Sequence, residues 1–179
     1  SRWIGYTHQT IADDGLVALY DFEDKGGDIV TNKAHGLSIE SYDRPSLDGA
    51  RVVSATSWGQ GRWSGKGAMY FDGSGSSYIN CGSNRSSYIT DSLTMVAWVF
   101  KLTTSNGHIV NRGGGWGESG YTMWWYNNTI RTELQDNTRS AKTIHDVAVP
   151  TTGAWHMIAV TWDGTTRVIQ PYIDGYATA

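Results

Sequence analysis

The sequence predicts an all-β fold of two packed antiparallel sheets, and three observations carry that prediction. Apolar and polar residues alternate in short runs from end to end. Asp-Gly and Asn-Gly pairs, which tolerate the positive φ of tight turns, stand between the runs. No window of a dozen residues combines helical 3.6 spacing with strong helix formers. The 22 glycines and 22 aromatic residues, against only 17% charged, suit a turn-rich β domain.

The strands follow in order. LVALYDFE (16–23) sends Leu16, Ala18, Tyr20 and Phe22 to one face and Val17, Leu19, Asp21 and Glu23 to the other. AMYFD (68–72) and SYINC (77–81) come next. LTMVAWVFK (93–101) is apolar on both faces, as a strand in the middle of a sandwich would be. HIVNR (108–112), YTMWWY (121–126), TIRTELQ (129–135), KTIHDVAV (142–149), WHMIAVTW (155–162) and TRVIQPYID (166–174) complete the set. Asp48-Gly49, Asp72-Gly73, Asn106-Gly107, Asp163-Gly164 and Asp174-Gly175 are the turn pairs. Pro171 cannot donate to a ladder, so its strand is expected at an edge there or with a bulge. Because several strands are apolar on one face and mixed polar and aromatic on the other, a sandwich fits better than a barrel.

Totals exclude several classes. With 179 residues and no Pro-rich or Ser-rich linker, the chain reads as one domain, 15–179, after an N-terminal extension, 1–14. The net charge is −3 and the 14 Lys and Arg are scattered, so no nucleic acid partner is expected. No run of 18 apolar residues exists, so no membrane span is expected, and there is no signal-peptide pattern. The single Cys81 excludes an internal disulfide and reads as a half-buried strand residue. The start at Ser1 without Met reads as a processed or trimmed product.

Five segments carry a resemblance: GLVALYDFED (15–24), GKGAMYFDGSGSSYINCG (65–82), SLTMVAWVF (92–100), IVNRGG with GYTMWWYNNTIRTEL (109–114 and 120–134), and WHMIAVTWDGTTRVIQPYIDG (155–175). Their order resembles the laminin-G-like, concanavalin-A-like jelly-roll family in its bacterial form, and they cover most of the chain. The resemblance implies a lectin-like sugar-binding, adhesive or accessory module of a larger secreted, surface or phage protein, acting outside the cell or at its surface. It also implies one or more strands past the segment matching YIDG, which return to close the sheet. The sequence stops at Ala179, so the closing strand is expected from a separate piece, from the Arg2–Thr10 extension or from a neighbouring chain.

The resemblance further implies a structural Ca²⁺, which prefers carboxylate, amide and carbonyl oxygens. Mapped onto this chain, the ligands are Glu23 or Asp24 and Asn32, with Asp72 as a further choice. Asp72, Asp163 and Asp174 each precede Gly, and turn chemistry accounts for them as simply. A glycan or polysaccharide site needs exposed aromatic rings beside polar side chains. Trp116, in the glycine-rich NRGGGWGESG, fits this need, as do Trp124 and Tyr126 with Asn127, Asn128, Arg131 and Glu133. Trp124 suits either a platform or the core; Trp58 and Trp63 read as packing against the N-terminal strand. Trp98, Trp125, Trp155 and Trp162 read as core, and His156 as structural.

Catalysis has little foothold. Glycosidases on this scaffold carry Glu-x-Asp-x-x-Glu on one strand, and the nearest run here, ELQD at 133–136, has the wrong spacing. Histidines 8, 35, 108, 145 and 156 adjoin no nucleophile elbow. The reading is therefore a noncatalytic glycan-binding module, with a protein-interaction or adhesion module, or a structural spacer, as the rivals.

Overall fold

The computed structural model describes residues 15–34, 47–82, 87–89, 91–113, 120–135, 142–148 and 150–178. Among them are strands β1 (Ile29–Val30), β2 (Gly49–Arg51), β3 (Thr56–Gln60), β4 (Gly67–Phe71), β5 (Ile79–Asn80), β6 (Ser92–Phe100), β7 (Gly107–Arg112), β8 (Gly120–Tyr126), β9 (Thr129–Gln135), β10 (Lys142–Ala148), β11 (Trp155–Asp163), β12 (Val168–Ile173) and β13 (Tyr176–Ala177), with no α-helix. Every ladder between these strands is antiparallel. The all-β antiparallel sandwich expected from the sequence is the architecture that forms.

The chain divides into two compact units, Ser1–Ser87 and Tyr88–Ala179. The first holds a three-stranded sheet, β1-β2-β5, and the β3-β4 hairpin. The second holds two four-stranded sheets, β10-β9-β8-β7 and β13-β12-β11-β6. Their inner faces supply one core of Leu93, Met95, Ile158, Val160 and Ile169 from one sheet and Met123, Trp125, Ile130, Leu134 and Val147 from the other. Met123, Trp125, Ile130, Ile158 and Val160 are at most 2% exposed, so period-two alternation has sorted these strands as their patterns require.

Several expectations are corrected. Residues 16–22 form no strand. Leu19 receives one backbone bond, from Lys33 N at 2.8 Å, while its own N–H donates to the Asn32 side chain and Val17 O accepts from Asn32 Nδ2. One amide side chain thus takes the bonds that a partner strand would take, and Phe22 leaves the extended region altogether at φ 58°. SYINC shrinks to Ile79–Asn80. Gly49 and Gly107 open strands instead of serving turns. At Gly49 a side chain would lie 2.3 Å from Ile79 Cγ2. β12 is not an edge strand, since β13 lies beyond it, but β13 pairs only with Tyr172 and Ile173. Pro171 O still accepts from Thr178 N at 3.1 Å, and Gln170 Nε2 donates to Thr178 O at 2.8 Å, supplying the bond that Pro171 cannot donate.

The largest correction concerns Trp98. β6 does alternate, but only Leu93, Met95, Ala97 and Val99 face the core. Val96, Trp98 and Phe100 point the other way and are 55%, 44% and 42% exposed. Trp155 shares that outer face, half-buried and packed edge-on against Phe100 at 5.6 Å, whereas Trp162 packs against the core. Apolar residues on both faces of a strand thus do not mean that both are covered.

These placements separate two substitutions. Met123→Ala, from a fully buried side chain, is expected to lower stability by about 2–5 kcal/mol. Trp98→Ala is expected to cost under about 1.5 kcal/mol. Urea unfolding followed by circular dichroism distinguishes them, and equal losses would return Trp98 to the core.

Candidate functional site

The opposite face of β8 is where chemistry-bearing side chains gather. β8 and β9 join through a two-residue turn, Asn127 and Asn128, both at positive φ (46° and 65°). Asparagine tolerates that region better than most residues, and paired positive φ values match the twist of a hairpin. The turn sets Tyr126 against Thr129, Trp124 against Arg131 and Thr122 against Glu133. Asn128 therefore has a conformational reason to be asparagine. Asn127 N donates to Asn106 Oδ1 at 2.9 Å, tying the turn to the segment before β7.

Flanking strands extend these pairs into rows. On one side β7 puts His108 opposite Trp124; on the other β10 puts Asp146 opposite Arg131. The result is His108–Trp124–Arg131–Asp146, one residue from each of four adjacent strands. At about 4.8 Å per strand the row spans roughly 14 Å. Beside it lie Tyr126 and Thr129; on its other flank lie Thr122, Glu133 and Ile144. The face is covered at Thr122 and Glu133, 1% and 5% exposed, and opens at His108 and Asp146.

The rings stack on one another. His108 and Trp124 are nearly parallel, 5° apart with centroids at 4.7 Å, and Tyr126 lies 4.4 Å from Trp124 at 32°. The Arg131 guanidinium sits over the Tyr126 ring at 4.2 Å. Side chains stand roughly perpendicular to a sheet, so rings stacked in this way turn edges rather than faces to solvent. Trp124, which the sequence leaves open between a platform and the core, stands half-buried in an aromatic row with polar groups along it. Trp124 Nε1 is shielded from solvent and has no acceptor among the described residues.

Charge is arranged just as tightly. Arg131 Nε and Nη2 donate to the two Asp146 oxygens at 2.7 and 2.6 Å, and Nη1 lies 3.8 Å from Glu133. The Arg131 hydrogen bonds hold the Asp146 carboxyl below the usual aspartate range. Burial lowers the His108 pKa, with Glu133 pulling it the other way. His108 and Asp146 were not among the residues singled out from the sequence, whereas Trp124, Tyr126, Arg131 and Glu133 were, and the structure brings all six together. Trp116 lies outside the described residues.

Elsewhere, oxygens proposed for Ca²⁺ are already taken. Glu23 accepts from Lys25, Lys66 and Gly67 N, which holds its pKa down at about 2. Asp24 accepts from Thr31 N, Thr31 Oγ1 and Lys33 Nζ. Asn32 Oδ1 accepts from Leu19 N and Ala34 N, and Asp72 Oδ1 from Ser74 N. A cation would have to displace three ammonium groups, so this arrangement does not fit a resident Ca²⁺. Among the described residues no group of three or more His, Cys, Asp or Glu could hold a metal.

Other residues hold the fold. His156 Nδ1 meets Asp174 Oδ2 at 2.7 Å, and Asp174 Oδ1 also accepts from Met157 N, clasping β11 to the turn after β12. Asp163 accepts from Thr165 N and Thr166 N, as turn chemistry requires. Trp58 is half-buried and donates to Gly27 O at 2.9 Å, whereas Trp63 is 54% exposed under Arg62. Cys81 is half-buried, and burial pushes its thiol pKa up. No described helix is long and apolar enough to cross a membrane.

A laminin G family model, described as the concanavalin A-like lectin/glucanases superfamily, matches residues 72–179. No curated protein and no solved structure matches.

Two outcomes follow from these contacts. Asp146, whose folded pKa is depressed, stabilises the fold above the ordinary aspartate value of about 3.9, and that contribution is lost as pH falls through the lower folded value. Asp146→Asn should therefore cost up to about 1 kcal/mol at pH 7, and the gap in melting temperature from wild type should close below about pH 4. Adding Ca²⁺ or EDTA should leave the melting temperature of the wild type unchanged; a rise with Ca²⁺ would place a metal site that these four residues do not supply.

Proposed function

The chain belongs to the concanavalin A-like lectin/glucanases superfamily, and on that premise we propose that it is a noncatalytic glycan-binding module whose ligand lies along the His108–Trp124–Arg131–Asp146 row. Membership alone supports the coarser statement, a carbohydrate-binding or interaction module. The observation that carries the finer one is the register that brings four strands' aromatic and charged side chains into a single line. Hydroxyl-rich rings need apolar bodies to lie against and hydrogen-bonding groups beside them, and stacked rings with polar edges next to a paired Arg and Asp offer both.

Binding suits these groups better than turnover. A glycosidase acid must hold its proton near neutral pH, which takes a raised pKa. Asp146 is shifted the opposite way, by the cation against it. The setting this reading carries is a larger secreted, surface or phage protein acting outside the cell or at its surface.

One observation favours a second reading, a protein-interaction module. Val96, Trp98 and Phe100 form an exposed apolar group on the outer face of the other sheet, which suits a protein contact better than a sugar.

The readings separate by substitution. In pull-downs on insoluble polysaccharides, Trp124→Ala and Tyr126→Ala should lose retention by about tenfold or more, with melting still cooperative, while Trp98→Ser should be retained like wild type. Retention that survives both ring deletions would remove the row from the site.

A further inference from the structure

We propose that the row accepts uncharged sugar units and rejects acidic ones, with Asp146 as the residue that sets this selectivity. The inference rests on the glycan-binding reading above. An arginine on an open sheet face beside aromatic rings is by itself a receptor for carboxylates and sulfates, because its planar fork matches two oxygens at once. Here the fork is filled from within. Both Asp146 oxygens occupy Nε and Nη2 at 2.7 and 2.6 Å, Glu133 lies 3.8 Å from Nη1, and the guanidinium plane rests over Tyr126.

Charge on the face points the same way. Around Arg131 the ionised groups are Asp146 and Glu133, two carboxylates against one guanidinium. His108 adds no positive charge at neutral pH, since burial disfavours its protonated form. An acidic sugar would have to dislodge Asp146 from Arg131 or sit beside an uncompensated carboxylate. A neutral sugar meets neither obstacle. Its hydroxyls can donate to the remaining lone pairs of Asp146, which is 32% exposed and so within reach.

Asp146→Asn tests this, because it keeps the shape of the side chain while releasing the Arg131 fork. Affinity gel electrophoresis would run wild type, Asp146→Asn and Asp146→Asn with Arg131→Gln through immobilised neutral polymers (xylan, mixed-linkage β-glucan, starch) and anionic ones (polygalacturonate, alginate, dextran sulfate). Circular dichroism confirms that each is folded. Wild type should be retarded by a neutral polymer and not by the anionic ones. Asp146→Asn should gain about tenfold in affinity for an anionic polymer, and about 0.5 M NaCl should abolish that gain. The double variant should lose it. Wild type retarded equally by neutral and anionic polymers overturns the selectivity while sparing the glycan reading, as does an Asp146→Asn variant that gains nothing on anions. Wild type retarded by no polymer overturns the glycan reading and the selectivity with it.

Discussion

The register of the β8–β9 hairpin is the constraint on which both the core and the candidate site depend. Asn127 and Asn128 close a two-residue turn, and that turn leaves one way to pair the strands. The same register puts Trp125 beside Ile130 in the core and Trp124 beside Arg131 on the opposite face. A slip of β9 by one residue against β8 would turn Arg131 inward and Ile130 outward, so packing and site composition are a single decision. β10 follows β9 residue for residue, from Lys142↔Gln135 to Ala148↔Thr129. β7 needs a register shift between His108 and Val110 to keep His108 against Trp124 while Val110 still meets Met123. A bulge is the ordinary means by which a strand re-aims one side chain without losing its ladder.

Alternation makes strands legible because it follows from backbone geometry, and the second unit was readable for that reason. What alternation cannot report is which faces are covered. LTMVAWVFK is apolar on both sides, yet only the Leu93 and Met95 side meets another sheet, while Trp98 is exposed. LVALYDFE has equally good alternation and forms no strand, because its hydrogen bonds go to the Asn32 side chain. A pattern says what a segment could do in a ladder, and a partner has to be there. The same limit divides the site. Trp124, Tyr126 and Arg131 are neighbours along one hairpin and could be picked out together. His108 and Asp146 join them only through pairing with strands 16 and 15 residues away, as the offsets between partners show. The Asn127-Asn128 turn implies the β8–β9 pairing and neither of these two, and its positive φ values give both asparagines a conformational role.

Acidic residues tell a related story. Glu23, Asp24 and Asn32 sit where the family resemblance would seat a cation, and each has local partners that satisfy it. Lysines 25, 33 and 66 do by ion pairing what a divalent ion would do by coordination. Oxygen ligands can be recognised in a sequence, but whether three of them are left free to converge depends on which cations fold back onto them.

The charged row also shows how a half-buried face satisfies its own charges within the fold. Arg131 is half-buried and costly to leave unpaired, and Asp146 takes its guanidinium fork while the Glu133 carboxylate lies 3.8 Å from Nη1. Pairing and stacking together hold Tyr126, Trp124 and His108 in one geometry, which would leave little side-chain freedom to lose in the binding proposed above. The same pairing fixes what the face cannot do. A guanidinium already gripped by two oxygens is a poor anion receptor, and a carboxyl held ionised by that cation is a poor proton donor. An arrangement that is rigid, with its one guanidinium already paired and its ring edges outward, is what the proposed binding of a neutral ligand would need.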